Sequence, residues 1–204
     1  MDKCPVLDED LKTRLRGICP ALVLASQSPN RLAMLRSAGL CVTPRPQDVW
    51  EICGSSEPVT VVTTLAARKM ESYLGSPEFD PALPAVAVDT LVCLDGKLLG
   101  KPADENEARS MLRLLSGRTH QVYSGMSVYN PATGKTVTVC DCSDVKFRLL
   151  SEEDITRYIS TGDPLGAAGA YKIQENGYSL IESISGSFSN IIGLPLEKLA
   201  EILG

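Results

Sequence analysis

The chain has 204 residues, 44% hydrophobic and 22% charged, which suits a soluble globular protein of one large domain or two lobes sharing a sheet. A formal net charge of -5 argues against a nucleic-acid binder, which would present a basic face. No apolar run is long enough to cross a membrane, and Asp2, Lys3 and the run Asp8-Glu9-Asp10 are unlike a secretory signal, so a cytoplasmic protein is expected. The seven cysteines are scattered without zinc spacing and read as buried reduced thiols.

Residues 1–20 precede the first strand as an N-terminal extension, with 21–204 as the main domain. Leu7, Leu11, Leu15 and Ile18 recur at helical spacing, which predicts a short amphipathic helix packed on the body. An apolar strand at Leu22-Val23-Leu24-Ala25 then runs into Ser26-Gln27-Ser28-Pro29-Asn30-Arg31. Ser28 is a good N-cap and Pro29 suits the first helical position, while Leu32, Leu35 and Ala38 form a helical face closed by Gly39. Residues 41–49 read as a Pro-rich extended segment and 56–74 as a long helix. The strand 85–94 ends at the hairpin signal Asp95-Gly96. Asp104 and Glu107 open a helix that Gly117 closes. Strands at 121–129 and 135–147 follow; the second carries Cys140-x-Cys142, whose two thiols share a face. Ser151 and Asp154 cap a helix ended by Gly162. A glycine-rich stretch, 166–193, holds a short strand near 178–181, and 195–203 is the closing helix. Hairpins interleaved with helices imply an α/β fold with a mixed sheet flanked by helices.

Several residues look like chemistry. The start of the Pro29 helix, with its free N–H groups, is either a phosphate cradle or an ordinary capped helix. Arg31 lies in its first turn, where a cation is disfavoured by roughly 0.3–1 kcal/mol unless an anion is near. Asp89 sits in the apolar strand Val86-Ala87-Val88-Asp89-Thr90-Leu91, where an ionised carboxylate is costly unless paired or metal-bound. Ala85 and Ala87 share its face and leave room beside it; a structural pairing with a lysine is the competing account. Lys69 shares a helical face with Leu65 and Tyr73, and either snorkels to water or points into a cleft. Lys101, between Gly100 and Pro102, is either a phosphate contact or an exposed loop lysine, and Glu51 is ambiguous in the same way. His120 is the only histidine and reads as structural, which argues against a Ser-His-Asp triad or a His-rich zinc site.

Taken in order, Ser26-x-Ser28-Pro29-x-Arg31, Val88-Asp89-Thr90, Gly100-Lys101-Pro102, Leu115-Ser116-Gly117 with His120, Ala168-Gly169-Ala170-Tyr171 with Gln174, and Gly193-Leu194-Pro195-Leu196 resemble one family. The chain resembles the Maf-like nucleoside triphosphate pyrophosphatases, also called septum-formation-inhibitor-like proteins, from about Leu22 to its C-terminus. The resemblance implies a Maf/ITPase-like fold, an elongated mixed sheet with two lobes around a central nucleotide-binding cleft. It implies hydrolysis of a nucleoside triphosphate to monophosphate and pyrophosphate with a divalent cation, Mg²⁺ or Mn²⁺, and it suggests a homodimer. The family's general base matches Asp89, its phosphate-binding cations match Arg31, Lys69 and Lys101, and its acidic metal-site residue matches Glu51, with Asp89 sharing the metal. Ser26 and Ser28 belong to the substrate-binding motif, and specificity positions match Asn30, Thr90 and Gln174. Val88-Asp89-Thr90 and Ala170-Tyr171-x-x-Gln174 resemble the dTTP/UTP subfamily; the 7-methyl-GTP subfamily usually has Gln after the Asp. The chain departs from that pattern at Asn30 (in place of arginine), Trp50 (where an acidic residue is common), and Gly166-Ala167 (for Asp-Lys), with Lys172 in place of glycine. The competing readings are a 7-methyl-GTP or other modified-nucleotide pyrophosphatase, and a nucleotide-binding regulator of cell division with little turnover.

Overall fold

A computed structural model describes residues 7–174 and 176–204. Helix α1 (Glu9–Ile18) precedes β1 (Ala21–Leu24), α2 (Pro29–Ser37), β2 (Cys41–Pro44) and α3 (Pro58–Leu74). The hairpin β3 (Ala85–Leu94) and β4 (Lys97–Leu99) leads to α4 (Glu105–Leu115), then to the long hairpin β5 (Thr119–Asn130) and β6 (Lys135–Phe147). Helix α5 (Glu152–Ile159), strand β7 (Ile181–Ser185), and helices α6 (Phe188–Ile192) and α7 (Leu196–Leu203) complete the chain. The fold is mixed α/β, as the interleaved hairpins and helices predict.

One sheet runs β2-β1-β3-β5-β6-β7, with β4 also on β3. Strand β3 is paired along one edge with β5 from Ala85 to Cys93. Its other edge is shared. Strand β1 runs parallel to Ala85 and Val86, and β4 runs antiparallel to the stretch Val92 to Leu94. Between these partners the edge around Val88 to Leu91 has no strand beside it among the described residues, and this opening is where the cleft forms. Two large cores flank it. One packs α1, α2 and α7 on Leu22, Leu24, Val86, Val88, Met126 and Val128; the other packs α4 and α5 on Val92, Leu94, Val122, Val145 and Phe147. The two lobes thus share β3 and β5. Asp89 and Thr90 are the partly exposed residues of a strand otherwise buried throughout.

The expected helix at the N-terminus forms: Asp8 caps it, Leu15 is buried, and Arg14 donates to the Ala200 carbonyl of α7 at 3.4 Å. Asp2 and Lys3 lie outside the described residues. Ser28 and the Ser151–Asp154 capping box start α2 and α5 as expected. At α4, Asp104 accepts from the Glu107 N–H, but the Glu107 carboxylate reaches one residue further back, to the Ala103 N–H. The segment 41–49 begins extended as expected, and its first four residues form an edge strand, β2, because Cys41 through Pro44 pair in parallel with β1. Two expectations need correction. Residues 176–180 form a 3-10 turn and the strand begins only at Ile181, where pairing with Phe147 starts. Cys19 and Cys93 are buried, but Cys41 and Cys142 are exposed, since β2 is an edge strand and the first half of β6 is poorly covered. Helix α6, five residues long, is too short to show a period, although Ser187 caps its start and Gly193 (φ 117°) its end.

Candidate active site

The opening on β3 leads into a cleft of about 1090 Å³, lined by Ser26 to Arg31, the segment 47–51, Lys69, Asp89 to Val92, Lys101 and the loop 165–174. Ligand pockets commonly measure about 300–1,000 Å³. All the residues singled out from sequence for catalysis, substrate or metal line this space: Ser26, Ser28, Asn30, Arg31, Glu51, Lys69, Asp89, Thr90, Lys101 and Gln174.

Lys69 is at the centre. Its Nζ donates to Asp89 Oδ1 at 2.7 Å and pairs with Glu51 Oε1 at 3.1 Å, so the lysine points into the cleft rather than snorkelling past Leu65 and Tyr73. The two acidic side chains differ sharply in exposure: Asp89 is 16% exposed and Glu51 69%. Asp89 Oδ2 makes no hydrogen bond among the described residues, which leaves it to accept from a ligand or water. Lys101 is exposed on the facing wall and has no carboxylate partner among the described residues. Its loop is fixed from behind, because the Gly169 N–H donates to the Gly100 carbonyl at 3.0 Å. Gly169 itself sits at φ 68° with Val92 packed where a Cβ would stand, so the Ala168-Gly169-Ala170 motif lets the loop lie close on β3.

Arg31 differs from the free phosphate contact that its place in the first turn suggests. Nε donates to the Gly193 carbonyl at 2.8 Å, Nη1 to Ser26 Oγ at 3.0 Å and to the Val88 carbonyl at 2.9 Å, and Nη2 to Thr90 Oγ1 at 3.0 Å. Of its five N–H donors, one on Nη2 remains among the described residues. The guanidinium therefore occupies the unpaired edge of β3 and ties it to the end of α6. Burial lowers its pKa to about 10, opposed by the charges of Asp89 and Glu51. The helix start is also less open than expected: Pro29 has no N–H and Ser28 Oγ accepts from Arg31 N–H at 3.4 Å, so the Asn30 N–H is the donor left in that turn. Thr90 Oγ1 meets Ser124 Oγ at 2.8 Å, which joins it to the buried polar residues of β5 and α6.

His120 is structural, as expected. It is fully buried, its Nε2 lies 2.9 Å from Tyr171 Oη, and its ring packs edge-on against Phe147 and Tyr171. This contact anchors the start of the loop that carries Gln174. Sequence reasoning did not single out Arg68, whose Nη1 donates to the carbonyls of Trp50 (3.0 Å) and Ile52 (2.8 Å) on either side of Glu51. Neither did it assign a role to the Gly193 carbonyl. Both contacts are between distant segments and leave no local pattern.

Among the described residues no group of three or more His, Cys, Asp or Glu side chains is placed to hold a metal. Asp89 and Glu51 converge on the Lys69 ammonium, and they are the two carboxylates that would hold such an ion beside the substrate. One or two carboxylates completed by substrate phosphates and water is the usual environment of Mg²⁺. Among the described residues, no helix is long and apolar enough to cross a membrane.

The family model for Maf-like proteins matches residues 21–204. Curated relatives include a dTTP/UTP pyrophosphatase of Pelotomaculum thermopropionicum, 40% identical over 183 residues that span 89% of this chain and 94% of the relative. The dTTP/UTP pyrophosphatase of Desulfitobacterium hafniense is 42% identical over 189 residues, covering 89% and 83%. That of Dictyoglomus thermophilum is 39% identical over 188 residues, covering 89% and 94%. With a family model matched from residue 21 to 204 and relatives about 40% identical over most of both chains, the chain belongs to the Maf-like protein family.

Proposed function

We propose that this protein hydrolyses dTTP and UTP to the nucleoside monophosphate and pyrophosphate in the cytoplasm, assisted by Mg²⁺ or Mn²⁺. The observation that carries the reading is the ion-paired cluster of Asp89, Lys69 and Glu51 beside the gap in β3 pairing, in a cleft that Lys101 also lines. Relatives named dTTP/UTP pyrophosphatase support the choice of substrates.

Phosphoryl transfer asks a protein mainly for positioning and charge neutralisation. Lys69 holds Asp89 Oδ1, and Oδ2 accepts the proton of the attacking water as the α–β phosphoanhydride bond breaks. Lys101 and the Asn30 N–H bind the phosphate oxygens and stabilise the charge that grows on the pyrophosphate leaving group. Arg31 orders the floor of the site through the Val88 and Gly193 carbonyls and offers its remaining N–H to the same anion. Glu51 and Asp89 would hold the divalent ion, which neutralises phosphate charge and lowers the pKa of bound water. Gln174 and Thr90 also line the cleft, and we assign them to the nucleoside.

The test is pyrophosphate release from a panel of canonical, methylated and modified nucleoside triphosphates with Mg²⁺ or Mn²⁺, for the wild type and Asp89→Asn. Turnover of dTTP and UTP that is lost in Asp89→Asn is the expected result. A panel in which 7-methyl-GTP is the preferred substrate overturns the pyrimidine assignment, and nucleotide binding without any turnover overturns the enzyme.

A further inference from the structure

Thirteen residues, 45–57, connect β2 to α3 without helix or strand, and Glu51 lies in their middle. Apolar burial does not hold this connection down: Trp50 is 73% and Ile52 65% exposed. Beyond the Glu57 cap at the start of α3, its attachments to that helix are polar and come from Arg68, Lys69 and Ser72. Ser72 Oγ donates to Gln47 Oε1 at 2.7 Å, and Lys69 pairs with the Glu51 carboxylate. Arg68 places a single nitrogen, Nη1, against the carbonyls of both residues that flank Glu51.

We propose that Arg68 is a positioning residue for Glu51, fixing the backbone on both sides of it so that its carboxylate is presented to the cleft beside Asp89. The inference rests on the pyrophosphatase reading only in requiring Glu51 to act on the triphosphate and its cation. Two carbonyls bound to one charged donor define the path of three consecutive residues, which an ion pair to a 69% exposed carboxylate does not. Arg68 and Lys69 divide the work. Lys69 neutralises the carboxylate, whereas Arg68 never touches it and sets where it can go. Outer partners that orient metal-binding carboxylates typically matter by roughly 10–100-fold in affinity or activity.

The experiment compares wild type, Arg68→Ala, Arg68→Lys, Glu51→Gln and the double variant Arg68→Ala/Glu51→Gln. It measures pyrophosphate release at varied nucleotide and Mg²⁺, together with backbone hydrogen exchange. Arg68→Ala is expected to lower kcat roughly tenfold or more with little change in nucleotide KM, and Arg68→Lys to recover part of it. The double variant should fall within about twofold of Glu51→Gln, because Arg68 has nothing left to position once the carboxylate is gone. Exchange should quicken at 49–53 in Arg68→Ala and stay unchanged in α3 and β3. Multiplicative losses in the double variant, or faster exchange spread through α3, would make Arg68 a general stabiliser and overturn the proposal. A wild type that releases no pyrophosphate refutes the pyrophosphatase reading by itself. The exchange pattern then still decides whether Arg68 fixes this segment, and unchanged exchange at 49–53 overturns it.

Discussion

Arg31 is the residue whose chemistry changes most on seeing its surroundings. A lysine could supply the same charge, but not four hydrogen bonds in a planar fork to two carbonyls and two hydroxyls. Arg31→Lys is expected to leave the Val88 or Gly193 carbonyl unpaired and to cost about 1–3 kcal/mol, read as a lowered urea midpoint at unchanged slope. A variant as stable as wild type would mean that the clamp is dispensable and that Arg31 serves the ligand alone. His120 permits a second test at this scale, since it is the only histidine in the chain. Burial lowers its pKa to about 4, against an opposing pull from Asp144, and its Nδ1 has no hydrogen-bond partner among the described residues. Between the unfolded value near 6.5 and about 4, the unfolded chain takes up a proton that the folded chain refuses. Stability is therefore present above pH 6.5 and is lost as pH falls toward 4, by roughly 3 kcal/mol from this group. Urea midpoints measured from pH 7.5 to 5 should decline in the wild type and much less in His120→Asn. Equal slopes would place the titration elsewhere.

At the scale of elements, α3 is set against the sheet by a glycine. Gly125 of β5 pairs with Asp89 of β3, and a Cβ on it would stand 2.1 Å from the Val62 carbonyl of α3. The backbone contact brings α3 down onto the sheet, and two turns beyond Val62 the helix delivers Lys69 to Asp89. Gly125→Ala must push α3 outward. Overpacking of this kind costs about 1–3 kcal/mol, and kcat should fall with it because the Lys69–Asp89 distance opens. Full kcat in a folded Gly125→Ala protein would show that the register of α3 tolerates displacement. Such a contact explains what the sequence could and could not convey. The capped helices, the Asp95-Gly96 hairpin and the oddity of Asp89 are local signals, and each is present where local chemistry puts it. Strand β2, helix α6, the clamp of Arg31, the carbonyl contacts of Arg68 and the role of Gly125 depend on partners far along the chain. For Lys69, helical spacing left snorkelling and a cleft open, and only the position of β3 and the 45–57 connection decides between them.

For the whole molecule, the cleft lies between two cores that share β3 and β5, so a ligand filling it touches both lobes. Ser26 to Arg31, Glu51, Lys69 and Asp89 stand on one side, and Lys101 with the loop 165–174 on the other. A ligand bound only by the folded state adds about 2.7 kcal/mol at a hundred times its Kd. For a chain of this size that is a rise in Tm of roughly 5–10 °C. A non-hydrolysable α,β-imido analogue of UTP with Mg²⁺ is expected to produce this shift and to slow hydrogen exchange on both walls together. Lys101→Ala should reduce the shift, because it removes an exposed ammonium with no carboxylate partner among the described residues. Protection confined to the wall of Ser28 and Asp89 would mean that the triphosphate does not span the cleft, and Lys101 would then have no part in holding it. Protection of both walls, weakened on both by loss of Lys101 alone, is the signature of one anion bridging two lobes that β3 and β5 already hold at a fixed separation.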